Sequence, residues 1–166
     1  MDTRPEYLEL ILKSEGDTSP FESAWIVPQV LKVDKAFPKW FLARTSPTTA
    51  FVLAAHEDFR SLVTPTNPAR RGEVIHVYGT AFGEVTTPPN TGQPSPSNPL
   101  ARVVGEVRCW LKGPIDVLFA GLAPGLVGVY QIDLQIPRSA PSPDADLSCV
   151  VVGTESVTIS RIAIAP

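Results

Sequence analysis

The chain predicts an all-β antiparallel sandwich, and three observations carry that expectation. Eighteen of its 166 residues are proline. Proline has a fixed φ and no N–H, so it is confined to turns and to the ends and edges of strands. Several segments alternate apolar and polar residues with the period of a half-buried strand, and none shows a convincing helical period. Turn-forming clusters separate these segments at the short intervals found in sandwiches. An apolar content of 43% and a mean hydropathy of +0.08 belong to a globular chain, one long enough to bury a core without metal or disulfide support.

Taken in order, Tyr7–Lys13 is a short apolar run, and the Ser14–Pro20 turn follows too closely for a good helix. Trp25–Val27 and Val30–Val33 resume strand composition around Pro28, so residues 7–33 read as a β-hairpin with a loose loop. Phe37-Pro38-Lys39-Trp40-Phe41 forms an aromatic-proline knot, and a short strand follows around Ala50–Ala54. The turn-rich link Pro65–Gly72 leads into Glu73–Gly79, in which Ile75 and Val77 share a face. Thr86–Leu100 lacks periodicity and predicts a long, exposed, mobile loop. Next, Val103, Gly105, Val107, Cys109 and Leu111 alternate with Glu106, Arg108, Trp110 and Lys112, a strand with a clean apolar face. The turn Phe119–Gly125 feeds an alternating run, Val127–Pro137. A closing hairpin joins Leu147–Val152 to Val157–Ile164 through Gly153-Thr154-Glu155. Strand parity places Val107, Leu111, Val129 or Tyr130, Leu134 and Ile159 in the core.

From about Asn67 onward these words resemble the Ig-like C-terminal domain of unknown function found in large secreted acidobacterial proteins. The resemblance is carried by Asn67–Val74, Thr80-Ala81-Phe82-Gly83, Phe119–Gly125 and Val127–Pro137, about two thirds of the chain. The family usually has glycine where Ala81 stands, which puts a left-handed backbone there in question. The upstream segment Phe37–Phe41 is similar to the family's inter-domain hinge. The resemblance implies an Ig-like β-sandwich over residues 47–166, with residues 1–46 as an accessory hairpin and hinge. The hairpin is laid out like the closing one and is open to being read as the remnant of a preceding Ig-like domain. A surface or secreted setting is also implied, and no catalytic residue is carried over.

The residues themselves exclude several functions. A net charge of −3 gives no footprint for nucleic acid, and Arg70-Arg71 beside Glu73 reads as a solvated turn. No apolar run approaches the roughly 18 residues that span a bilayer. Met1–Glu6 lacks the basic-then-apolar layout of a signal peptide, so a complete chain would be cytoplasmic and an excised piece could be extracellular. The two histidines have no metal-ligand spacing: His56-Glu57-Asp58 reads as a solvated loop and His76 as an exposed strand residue. Asp144 and Asp146 could suit calcium, although strand-entry turns commonly hold Asp. No nucleophile elbow, phosphate loop or dinucleotide fingerprint occurs. The expectation is therefore a non-enzyme without cofactor or metal.

Cys109 and Cys149 both fall on apolar parity, which permits one inter-sheet bridge. Two separate buried thiols are preferred, because parity cannot show that their strands meet. Trp110 and Arg108 share an outward face, and with Trp25 and Trp40 they form the candidate ligand or interface set. Exposed aromatics could stack on sugars, and burial against a neighbouring hairpin or domain is the competing account. The reading is a non-catalytic structural or adhesion module with a protein partner. Its rivals are a carbohydrate-binding module and a hydrolase accessory domain, and a strand-exchanged dimer is one further outcome for the hairpin.

Overall fold

The computed structural model describes residues 36–44, 49–154 and 156–166. The expected hairpin at 7–33, with Trp25, lies outside them. Among the described residues every pairing between strands is antiparallel and no helix forms, so this part of the chain is all-β, as its composition predicts. The strands are β1 (Lys39–Trp40), β2 (Leu42–Arg44), β3 (Ala50–Val52), β4 (Ala54–Ala55), β5 (Val74–Thr80), β6 (Val107–Leu111), β7 (Gly113–Leu122), β8 (Tyr130–Gln135), β9 (Asp144–Val151) and β10 (Val157–Ala163).

Eight of them form one sheet in the order β1-β5-β8-β7-β6-β9-β10, with β4 also on β5, while β2 and β3 form a separate pair. The sheet nearly closes into a barrel. Its two end strands meet where the Trp40 amide donates to Thr158 Oγ1 at 3.2 Å. Curvature is concentrated in β7, whose Gly113–Ile115 pair with β6 and whose Asp116–Leu122 pair with β8. A bulge between Val117 and Phe119 leaves Leu118 unpaired and 50% exposed. Such an extra residue bends a strand and increases its twist. Beyond the bulge Ala120, paired with Ile132, packs on the core, and Phe119 lies beneath the Arg102 guanidinium.

One core fills the interior, built from Ile75 and Val77 of β5, Ile132 and Leu134 of β8, Leu111 of β6, Leu147 of β9 and Ile162 of β10. The Thr80–Gly83 turn adds Phe82, fully buried, with its ring 5.0 Å from Trp40 and 5.8 Å from Tyr130. Tyr130 donates its hydroxyl hydrogen to the Gly83 carbonyl. This decides the register left open by the sequence: Tyr130 packs against the core, whereas Val129 is half-buried and stands outside it. Ala81 keeps a left-handed backbone, φ 60°, without glycine, at a cost of about 1 kcal/mol for an L-residue.

Several boundaries differ from those read along the chain. Phe119–Leu122 is strand rather than turn, and the reversal uses Gly125 and Gly128, both at positive φ. Gly121 is required by a close approach: a Cβ there would collide with the Ala101 carbonyl oxygen and lie 2.6 Å from Phe119 Cζ. The expected strand from Val103 to Leu111 breaks at Val104–Gly105, because Val103 bonds to Ala120 and Val104 to Glu84. The Thr86–Leu100 tract is mostly exposed, but it is pinned at its centre. Ser95 is 4% exposed and exchanges backbone bonds with Gly125 and Leu126.

Ile159 is the core expectation that fails, being 64% exposed. Directly paired residues share a sheet face. Thr158 is opposite Cys149 and Ile159 opposite Ser148, so Thr158 takes the inward place and uses its hydroxyl on Trp40. Cys109 and Cys149 are not the two separate thiols expected from parity: a disulfide joins them. They are direct partners in the β6–β9 register, with Cα atoms 4.1 Å apart, so the bridge ties neighbouring strands and not opposed sheets.

Two outcomes follow for stability. Leu134→Ala should cost about 2–5 kcal/mol, as core truncations do, whereas Ile159→Ser should lie within about 0.5 kcal/mol of the parent. Denaturant midpoints that placed the two losses in the opposite order would refute this register. Reducing the bridge, whose cysteines are 40 residues apart, should cost about 4 kcal/mol in the chain-entropy model. Chemical denaturation with and without reductant measures it.

Candidate functional site

A cluster of titratable groups, His56, Glu57, Asp58, Arg70, Arg71 and Glu73, lies along the segment joining β4 to β5. The chain leaves β4 at His56, whose amide bonds to the Ser61 carbonyl, and Phe59 bonds back to His56. Asp58 Oδ1 accepts from the Arg60 amide at 2.9 Å, the Asx-type turn that favours Asp at such positions. Phe59 sits at φ 58°, a conformation rarely adopted by a bulky residue. Its ring stacks on the His76 imidazole, with centroids 3.7 Å apart and planes 12° from parallel.

His56 is buried, correcting the expectation of a fully solvated loop, although Glu57 and Asp58 are exposed. Its Nδ1 lies 2.6 Å from Glu73 Oε1 and its Nε2 3.2 Å from the Asn67 carbonyl. Glu73 Oε2 accepts from the Arg70 amide at 2.8 Å. Burial alone would raise the Glu73 carboxyl, but the Arg70 amide, the His56 ring and the Glu57 amide outweigh it and hold the group below its ordinary value.

His76 is also buried, correcting its expected exposure. Its outward face is covered because Phe59 folds over it, a contact that strand parity cannot reveal. Nδ1 lies 2.7 Å from Asp133 Oδ1, directly opposite on β8, and Nε2 lies 3.4 Å from the Glu57 carbonyl. Gln131 Nε2 donates to the same Asp133 oxygen at 2.8 Å. Burial, then the Asp133 charge, raises the neighbouring Tyr78 phenol.

A cleft of about 540 Å³ opens between this segment and the start of β5, lined by His56, Glu57, Asp58, Ser61, Asn67, Arg70, Arg71 and Glu73. A His–carboxylate pair beside a serine invites comparison with nucleophilic catalysis, which needs a ring nitrogen aimed at the hydroxyl. Here the far nitrogen of His56 faces a backbone carbonyl, and the Ser61 hydroxyl accepts from the side-chain Nδ2 of Asn67 at 3.4 Å. Arg71 points its Nε at the Ala140 carbonyl. The polar atoms are turned to holding the chain.

The other candidates lie elsewhere. Trp40 is 7% exposed and packed on Phe82, not on a binding face. Trp110 is half-buried on the outer face of β6, level with Ser148 and Ile159, and Arg108 pairs with Glu106 at 2.7 Å. Asp144 and Asp146 are beside Arg161 and Lys112, with Arg161 Nε 3.5 Å from Asp144, so cationic side chains already occupy that ground. No group of three His, Cys, Asp or Glu side chains suited to a metal occurs among the described residues. Nor is any helix there long and apolar enough to cross a membrane. No protein-family model, curated protein or solved structure matches the chain.

A lowered carboxyl contributes stability that is complete above its unfolded value, ordinarily 4.5, and is lost as pH falls through the folded one. The melting temperature should therefore fall more steeply on acidification below about pH 4.5 in the parent than in Glu73→Gln. Parallel curves would remove Glu73 from that account.

Proposed function

We propose that this chain is a non-catalytic structural or adhesion module of the Ig-like sandwich class, working in an oxidising, extracellular or cell-surface setting. The observation that carries the reading is the use made of its polar groups: both buried histidine–carboxylate pairs fasten backbone, and neither presents a free nitrogen to a cleft. The sandwich reading is supported by β7, which pairs with β6 through its first residues and with β8 through its later ones. The two halves so defined send their inward side chains into one core. The setting is supported by the Cys109–Cys149 disulfide, since such bonds persist chiefly outside the reducing cytosol. The outer face around Trp110, Val157 and Ile159 suits a neighbouring domain or protein partner. Sugar binding is the less supported reading, because Trp40 is buried and Trp110 only half exposed.

Alkylating free thiols in the native cells before lysis should leave both cysteines unmodified. Modification of both would overturn the extracellular setting. The purified protein should neither turn over a panel of ester, peptide and glycoside substrates nor be retained on immobilised polysaccharides. Turnover abolished by His56→Gln would make it an enzyme, and retention abolished by Trp110→Ala would make it a carbohydrate-binding module.

A further inference from the structure

The outer face of β6, β9 and β10 gathers apolar side chains that the registers bring level with one another. Arg108 is level with Val150 and Val150 with Val157, while Trp110 is level with Ser148 and Ser148 with Ile159. Directly paired residues share a face. Val150, Val157, Trp110 and Ile159 therefore make one patch, broken only by Ser148, in which Val157 is 48% and Ile159 64% exposed. Charges stand at its two ends. At one end Arg108 donates Nε and Nη2 to the Glu106 carboxylate at 2.7 and 3.0 Å. At the other, Lys112, Asp146 and Arg161 line a common hollow. An apolar centre inside a charged rim is the anatomy of a protein interface.

We infer that a second copy of this chain covers the patch, the two faces packing across a two-fold axis that lies between them and runs at right angles to the strands. In such a pair each residue meets a residue of the same patch, and charge complementarity selects the direction of the axis. An axis along β9 would set Asp146 on the partner's Asp146 and Lys112 on the partner's Arg161, because Asp146 and Arg161 are level. Both contacts join like charges. An axis across the strands, between the levels of Arg108 and Trp110, keeps each strand over its counterpart and reverses the levels. Arg108 then meets the partner's Trp110, and Val157 meets the partner's Ile159. Glu106 and Lys112 are each two residues further from the axis, so Glu106 meets the partner's Lys112.

All three contacts are favourable, and symmetry makes each of them twice. A guanidinium lies over an indole, apolar meets apolar, and opposite charges meet at the rim. Arg108 is already oriented by its two bonds to Glu106, so less of its freedom is lost on stacking. The patch spans three strands, about 10 Å from the first axis to the last. Its buried area falls short of the roughly 800 Å² per partner of a standard interface, so the dimer is weak and forms as concentration rises. This deepens the structural-module reading and rests on it, by naming the partner of the outer face as the chain itself.

Sedimentation equilibrium on the full chain tests the pairing. The average mass should climb from 17.9 kDa towards twice that value between about 10 μM and 1 mM, the range of a weak interface. Ile159→Lys, at an exposed position, should hold the chain at the monomer mass. Lys112→Glu and Glu106→Lys should each be monomeric alone, since each then faces its own sign of charge. An equimolar mixture of the two should recover the dimer, because both rim contacts again join opposite charges. A parent that stays monomeric, a dimer that survives Ile159→Lys, charge variants that dimerise alone or a mixture that does not would each overturn the pairing. None of these results touches the structural-module reading, which fails instead by catalytic turnover or by retention on polysaccharide.

Discussion

An open sheet has two edges whose unpaired N–H and C=O groups invite other strands, and this fold removes most of that liability by curling until β1 and β10 meet. The curl depends on β7. One strand of 10 residues supplies the partner for β6 at its start and for β8 along the rest, with a bulge inside the β8 pairing. Only because it bends can Leu111, Leu147 and Ile162 reach the same interior as Ile75, Val77 and Leu134. The join itself rests on Thr158, which gives up an apolar place in the core to accept the Trp40 amide. A hydroxyl buried there without a partner would cost about 1–3 kcal/mol, so hydrogen bond and register support each other.

The same curvature explains why the small residues stand where they do. Phe82 fits between Trp40 and Tyr130 because Gly79 leaves room, a Cβ there lying 2.5 Å from the Lys39 carbonyl oxygen and 3.0 Å from the Phe82 ring. Gly121 admits the Ala101 carbonyl. These glycines are demanded by backbone approach from distant segments, and no local turn requires them.

On the outer face, polar chemistry serves the architecture. A histidine beside a carboxylate can be a general base or an anchor, and the difference lies in what the second nitrogen meets. In this chain it meets main-chain carbonyls in both cases. The left-handed Phe59 is strained locally, and its stack on His76 is the contact that holds it there. Strain held by surrounding contacts is characteristic of segments that move or bind.

Composition and alternation alone determined the all-β class, the absence of helix among the described residues, the closing hairpin and the burial of Val107, Leu111 and Leu134, because proline content and period-two patterning are local properties. Strand pairing is not local. Parity could place Cys109 and Cys149 on inward faces, but only the β6–β9 register could make them partners. Parity also put Ile159 inside, and the pairing with β9 turned it out. His76 looked exposed because Phe59 lies 17 residues earlier in the chain, and nothing in their spacing announces that one folds over the other. The candidate site was illegible for the same reason. It is assembled from carbonyls, which every residue carries, and a sequence cannot say which of them a side chain will find.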